Sequence, residues 1–205
     1  RVCFINKLDR MGANFKKSFQ SILDKLSPNA LALQIPMGQE SKFEGVVDLL
    51  KMKALYFEGD FGQNVVEKEI PDNLRKESEK ARERLIEKVA AEDEVLLEKF
   101  LAKEEISEQE LKKVLRKATL EYKLIPVFCG SALKNKGVQL LLDAICDYLP
   151  SPEDLPPVEG TDPKTGQSIQ RKMNDSEPFS ALVFKIAADP YVGTLNYFRI
   201  YSGTL

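Results

Sequence analysis

Two short polar motifs, separated by more than a hundred residues, carry side chains that could recognise a ligand. The first motif is Asn6-Lys7-Leu8-Asp9 and the second motif is Ser131-Ala132-Leu133. A carboxylate such as that of Asp9 has two oxygens that only accept hydrogen bonds. Guanine presents two adjacent donors, N1–H and the N2 amino group, whereas adenine presents an acceptor at N1. Asp9 could therefore bind guanine and reject adenine.

The other residues of the two motifs fit the same base. The side-chain amide of Asn6 can donate to N7 of guanine or brace the loop, and the stem of Lys7 can lie across the ring. A backbone N–H of Ser131 or Ala132 can reach O6, because small side chains let the backbone approach closely. We predict a guanine site formed by Asn6, Lys7, Leu8, Asp9, Ser131, Ala132 and Leu133, with Leu133 as an apolar wall.

Each motif follows an apolar run that is typical of a buried strand. The runs are Val2–Ile5 and Ile125–Gly130, and both are rich in β-branched and aromatic residues. Such runs suit interior strands of a parallel sheet, and ligands of open α/β sheets lie at the carboxyl ends of the strands. We therefore expect the two motifs to lie side by side. The alternative is that each motif is only a polar turn after a strand.

Longer strings around the motifs resemble the elongation factor G family of translational GTPases, of bacterial or organellar type. The resemblance rests on Phe4–Ala13, Phe43–Leu49, Gly130–Gln139 and Tyr148–Pro152, and it extends over essentially the whole chain. It implies that the two motifs bind the guanine base of GTP or GDP.

The resemblance also implies an α/β fold in which the chain is the C-terminal half of a P-loop GTPase domain, with a parallel sheet and helices. Residues 1–29 and 119–150 would form the guanine-binding part, and residues 30–118 an inserted α/β subdomain. Residues 151–178 would be a proline-rich linker, and residues 179–205 the first strands of an incomplete β-barrel.

Hydrophobic spacing predicts the remaining elements. Asn14 can cap a first helix, and the capping box Ser107–Glu110 predicts a helix start near residue 108. Strands are predicted over 30–37, 43–50, 53–57, 179–186 and 195–201, and residues 72–122 are strongly helical. The predicted inward residues are Phe15, Phe19, Ile22, Leu23 and Leu26 in the first helix, and Leu111, Val114, Leu115 and Ala118 after the capping box. In a last helix, over 137–149, they are Val138, Leu141, Leu142, Ile145 and Leu149.

The sequence lacks two features that the resemblance implies for GTP hydrolysis, a catalytic histidine and a phosphate loop. The sequence contains no histidine and no glycine followed by lysine, so it has no Gly-x-x-x-x-Gly-Lys-Ser/Thr phosphate loop. We therefore predict no catalytic residue and no metal ligand in this chain. Magnesium would be bound only in the full-length parent, and the chain alone would be inactive.

Composition is that of a globular protein without a global nucleic-acid-binding charge. Of the 205 residues, 43% are hydrophobic and 30% charged, and the formal net charge is −2. No apolar run approaches the length of about 20 residues that a membrane helix needs, and no signal peptide is evident. The three cysteines, at positions 3, 129 and 146, lie in apolar patterns and are predicted to be core thiols.

The family resemblance implies a function in translation. The parent would hydrolyse GTP on the ribosome and promote translocation of tRNA and mRNA. The inserted subdomain would contact the ribosomal stalk protein. An acidic helix predicted over 92–110 is a candidate contact surface, with a merely solvated face as the alternative. A monomer in the bacterial cytoplasm is expected, with the mitochondrial matrix as the alternative. Two other functions stay open: a paralogous recycling, release or protection GTPase, and a non-enzymatic module that binds ribosomal proteins.

Overall fold

The computed structural model describes all residues from Arg1 to Leu205. They form two units, residues 1–149 and residues 150–205. The second unit begins at Pro150, one residue before the start that the sequence analysis predicts for the proline-rich linker. None of the helices combines the length and the hydropathy that a membrane-spanning segment requires.

A three-stranded sheet in the first unit carries both polar motifs. Its strands are β1 (Cys3–Ile5), β2 (Ala30–Ala32) and β7 (Ile125–Cys129), in the order β1-β7-β2. β7 pairs in parallel with both neighbours, and Ile5 lies opposite Cys129. The predicted parallel arrangement is therefore confirmed. The first motif begins directly after β1, and the second motif begins one residue after β7, beyond Gly130.

An antiparallel sheet of four strands follows the parallel sheet. Its strands are β3 (Gln34–Met37), β4 (Gly45–Asp48), β5 (Lys53–Glu58) and β6 (Asn64–Lys68), in sequential order. The prediction of one strand over 30–37 was wrong, because the chain changes sheet at Leu33. Strand β6 was not predicted, since its side chains are mostly exposed and lack a strong apolar pattern.

Three helices follow the antiparallel sheet in the chain: α2 (Asp72–Ala90), α3 (Glu94–Leu101) and α4 (Glu108–Leu120). The capping box at Ser107 is present, with the Glu110 N–H donating to the Ser107 hydroxyl and the Ser107 N–H donating to Glu110. The predicted inward residues of α4 are all buried. A second cap, Asp93, starts α3 and divides the predicted helical stretch.

The helices that flank the parallel sheet, α1 (Phe15–Lys25) and α5 (Val138–Tyr148), differ from prediction in their buried faces. Asn14 caps α1 as predicted, but Leu26 follows the end of the helix and is 75% exposed. In α5 the buried residues are Ala144 and Tyr148, whereas Leu142 and Ile145 are exposed. Helix α5 is apolar around much of its circumference, so hydrophobic spacing could not fix which face packs inward.

Residues 30–118, the predicted insertion, share a hydrophobic core with the parallel sheet. Strand β2 belongs to that sheet, although the sequence analysis placed residue 30 in the insertion. The Leu33 N–H donates to the carbonyl of Val127 at 3.0 Å, and the buried Gln34 accepts the Cys129 N–H through Oε1 at 3.3 Å. Residues 1–149 are accordingly one unit, and a separately folded subdomain over 30–118 stays a prediction.

The second unit consists of two antiparallel hairpins. Strands β10 (Ser180–Asp189) and β11 (Gly193–Ser202) were expected, but β8 (Val158–Thr161) and β9 (Ser168–Arg171) fall where a linker without strands was predicted. The tight turn at Asp162–Gly166, closed by the Gly166 N–H to the Asp162 carbonyl, explains the hairpin. Both faces of β10 carry exposed apolar side chains, among them Val183 and Phe184.

The three cysteines are free, but only one is a core thiol. Cys129 is fully buried and burial raises the pKa of its thiol. Cys3 is half-buried and Cys146 is exposed on α5. The prediction of a core position was therefore wrong for Cys146, for the same reason that the α5 face was misassigned.

A pair of leucine truncations tests the buried faces of α4 and α5. Leu115→Ala removes a fully buried side chain and should lower the free energy of unfolding by about 2–5 kcal/mol. Leu142→Ala, at a position 58% exposed, should change it by less than about 0.5 kcal/mol. Urea unfolding followed by far-ultraviolet circular dichroism reports on these helices. An equal loss in both variants would place Leu142 in the core.

The capping box of α4 should make stability depend on pH. The Lys99 ammonium, followed by the N–H and hydroxyl of Ser107, lowers the pKa of Glu110 to about 2. Because the folded-state pKa is lowered, the stabilisation is present above the unfolded value, about 4.3, and is lost as pH falls towards 2. Glu110→Gln should therefore differ from the native chain at pH 6 and approach it near pH 2. Glu105→Gln, an exposed position before the cap, serves as control and should show no such convergence.

Candidate functional site

The two motifs meet at the carboxyl ends of β1 and β7. The Leu8 N–H of the first motif donates to the carbonyl of Gly130, which directly precedes the second motif, at 3.1 Å. The Gly130 N–H donates in turn to Ile5 at 3.0 Å. A side chain at position 130 would place its Cβ 2.2 Å from the carbonyl oxygen of Lys136. Glycine is therefore required for this close approach of backbones.

Asn6 joins the motifs through its side chain. Its Oδ1 accepts the N–H of Lys7 at 2.7 Å and the N–H of Ala132 at 2.9 Å. The sequence analysis predicted two roles for Asn6, and these two hydrogen bonds correspond to bracing of the loop. Its side-chain NH2 group remains free to donate.

The second motif starts a closed loop that ends at Lys136. The Ser131 N–H donates to the Lys136 carbonyl at 2.9 Å, and the Lys136 N–H donates back to Ser131 at 3.0 Å. The Ser131 N–H is thus engaged inside the loop. The Ala132 N–H already donates to Asn6 Oδ1, so it could donate to a ligand only through a bifurcated hydrogen bond. Sequence analysis missed this closing role of Lys136, which depends on backbone pairing and has no side-chain signature.

Asp9 has an acceptor that nothing in the chain satisfies. Its Oδ1 is shielded from solvent and has no hydrogen-bond partner. A hydrogen-bonding interaction of the carboxylate with the Ser131 hydroxyl lowers the pKa of Asp9, with smaller contributions from the backbone, Arg10 and Lys134, against the opposing effect of burial. The carboxyl is therefore ionised at neutral pH. Buried polar atoms are nearly always paired, so a shielded carboxylate oxygen without a partner indicates a place for an external donor.

The remaining motif residues divide between the core and the surface. Leu8 is buried and belongs to the hydrophobic core, so it contributes to the predicted site by anchoring the motif. Lys7 is exposed and has a backbone φ of 66°, in the left-handed region. Leu133 is 74% exposed. The side chains of Lys7 and Leu133 are thus both accessible to a ligand. No cluster of three or more His, Cys, Asp or Glu side chains is placed to hold a metal ion.

A match to a known protein family identifies the class to which this chain belongs. The family described as "Elongation factor Tu GTP binding domain" matches residues 1–151, which include both motifs and all of the first unit. The chain belongs to this family of GTP-binding domains.

Comparison with individual curated proteins shows that the chain is similar to one kind of translation factor. The chain is 53% identical over all 205 residues to elongation factor G of Thermotoga neapolitana, and 52% identical to elongation factor G of Thermotoga petrophila and of Thermotoga maritima. In each case the chain spans 30% of the relative's length. A crystal structure of a Thermus thermophilus protein has the same fold, with a TM-score of 0.75 and 28% identity over 99% of this chain and 27% of that one.

Proposed function

We propose that this chain supplies the guanine-recognition site of an elongation factor G-like translational GTPase. The observation that carries the proposal is the ionised Asp9 carboxylate, whose shielded Oδ1 has no partner within the chain. It stands at the carboxyl ends of two parallel strands, where ligands of open α/β sheets bind.

Guanine satisfies the free groups of the site. Its N1–H and N2 amino group would donate to the two oxygens of Asp9, and the free NH2 of Asn6 would donate to N7. The Ala132 N–H, shared with Asn6 Oδ1, would reach O6. The stem of Lys7 and the side chain of Leu133 would cover the two faces of the ring. Adenine would instead set its N1 lone pair against the carboxylate.

Phosphate and magnesium binding are assigned to other parts of the longer protein. The sequence contains neither the glycine loop with its lysine nor a histidine. Magnesium would supply charge neutralisation at the phosphates during transfer. The residues of this chain hold and select the base.

The parent would hydrolyse GTP on the ribosome and promote translocation of tRNA and mRNA. Support comes from the elongation factor G relatives that match the whole chain. Ribosomal RNA and the stalk protein are the proposed partners, the latter through residues 30–118, in which the acidic region 92–110 is the candidate surface. The parent would act as a monomer in the bacterial cytoplasm, or in the mitochondrial matrix if organellar. A recycling, release or protection GTPase is the alternative within the class, and a protein-binding module without enzymatic activity is the alternative outside it.

Exchange of one Asp9 oxygen for a donor should change the base preference. Asp9→Asn places an NH2 group against a guanine donor, which should weaken GDP binding by about 1–3 kcal/mol. Xanthosine diphosphate, which carries a carbonyl in place of the amino group, should gain affinity relative to GDP. NMR titration of the 205-residue chain with both nucleotides measures the ratio, and Asp60→Asn in an exposed loop is the matched control. An unchanged ratio of the dissociation constants for GDP and xanthosine diphosphate would mean that Asp9 does not contact the base.

The isolated chain should bind guanine nucleotides weakly and should not hydrolyse them. Backbone N–H groups and a lysine around the phosphates normally supply much of nucleotide affinity. Without them we expect a GDP dissociation constant no tighter than about 1 mM, or about −4 kcal/mol. Calorimetry with GDP and magnesium, together with a phosphate-release assay with GTP, provides the measurement. A micromolar dissociation constant or turnover above buffer would reveal a phosphate site within these residues.

A further inference from the structure

The turn between β3 and β4 reaches the first motif. We call residues Gly38–Phe43 the bracing segment. Within it, the Glu40 N–H donates to the carbonyl of Leu8 at 3.0 Å, and Glu40 Oε1 accepts the N–H of Gly12 at 2.7 Å. One residue thus holds the stretch that contains Asp9 from both sides.

The same segment also contacts the second motif's loop. The Lys136 ammonium donates to the carbonyl of Phe43 at 2.9 Å and lies 6.0 Å from the centre of the Phe43 ring. Lys136 is the residue that closes the loop with Ser131. The bracing segment therefore touches both loops of the proposed guanine site.

The stretch after Asp9 has little else to hold it. Met11 is 94% exposed, and a Cβ built at Gly12 would meet no atom within 4 Å. Apart from the local turn hydrogen bonds from Arg10 to Lys7 and from Ala13 to Arg10, three backbone N–H hydrogen bonds tie residues 8–12 to the rest of the chain. One joins Leu8 to Gly130, and Glu40 makes the other two.

Backbone conformation supports a special role for this segment. Gly38 has a φ of 78°, and a Cβ there would lie 1.9 Å from the carbonyl oxygen of Lys42. Glu40 has a φ of 52°, in a region where residues other than glycine are strained. Such strain persists only where surrounding contacts enforce it, and it concentrates at functional sites. Lys7, in the first motif, has the same kind of conformation.

We propose that Glu40 is a positioning residue for guanine recognition, and that the bracing segment couples the antiparallel sheet to the guanine site. The proposal rests on the proposed function. Glu40 does not reach the base; it fixes residues 8–12 so that the free oxygen of Asp9 keeps its orientation. Movement of the β3–β4 turn, for example by a protein partner bound to the antiparallel sheet, would change guanine affinity.

Three substitutions at Glu40 separate positioning from general stability. Glu40→Asp keeps the charge and suits a left-handed backbone, but it is one methylene too short to reach Gly12. Glu40→Gln keeps an oxygen acceptor at full length. Glu40→Ala removes the acceptor altogether. Glu44→Ala, an exposed acidic position just beyond the segment, is the matched control.

Two readouts are taken from the ¹⁵N-labelled 205-residue chain: the exchange rate of the Gly12 amide hydrogen and the dissociation constant for GDP, with ADP as the base control. Glu40→Asp and Glu40→Ala should accelerate Gly12 exchange and weaken GDP binding by about threefold to tenfold, the effect of one lost hydrogen bond. Glu40→Gln should restore both, and Glu44→Ala should match the native chain.

The outcomes distinguish this proposal from the proposed function. If the native chain shows no guanine-specific shifts, the proposed function fails and the positioning role fails with it. If the native chain binds GDP and Glu40→Asp binds it equally well despite faster Gly12 exchange, the positioning role is overturned while guanine binding stands. If Glu40→Ala does not fold, the comparison of Gly12 exchange and GDP binding between Glu40→Asp and Glu40→Gln decides the question.

Discussion

Backbone hydrogen bonds between β1 and β7 hold the two polar motifs at one edge of the parallel sheet, and the Asn6 carboxamide locks them together. Each individual bond contributes only about 0.5–1.5 kcal/mol. Their combined effect is geometric, because the Asp9 carboxylate and the second loop can face one ligand only in this register. A shift of one residue in β1 would turn the first motif towards the opposite face of the sheet. The site therefore depends on strand pairing more than on any single polar contact.

The parallel and antiparallel sheets act as one structural body. Leu33 connects β2 to β3 and belongs to the same buried core as residues of both sheets. Gln34 and Lys136 add hydrogen bonds across the boundary between the sheets. Because of this continuity, a displacement of the antiparallel sheet would be transmitted to the two motifs, which a flexibly attached module could not do. Here the contact between the regions is made by short, conformationally restricted turns.

Local patterns in the sequence were sufficient for the motifs, the strands β1 and β7, and the capping box at Ser107, because apolar runs and caps are read from neighbouring residues. They failed at Leu142 and Ile145, where an apolar helix offers more than one face, and at the hairpin β8–β9, whose strands are exposed and polar. The role of Glu40 was invisible because its partner Gly12 is 28 positions away and offers only a backbone N–H. Composition and spacing carry no information about such a contact.

The pairing of Cys3 with Val127 also sets the order of events during synthesis. Strand β1 leaves the ribosome before β7 has been translated, and the 124 residues from position 3 to position 127 must be added in between. At about 5–20 residues per second, this takes about 6–25 seconds. During that interval β1 has no β7 to pair with, and the parallel sheet is incomplete. The nascent chain therefore passes through a period in which the two motifs cannot meet and the β7-facing edge of β1 is unpaired.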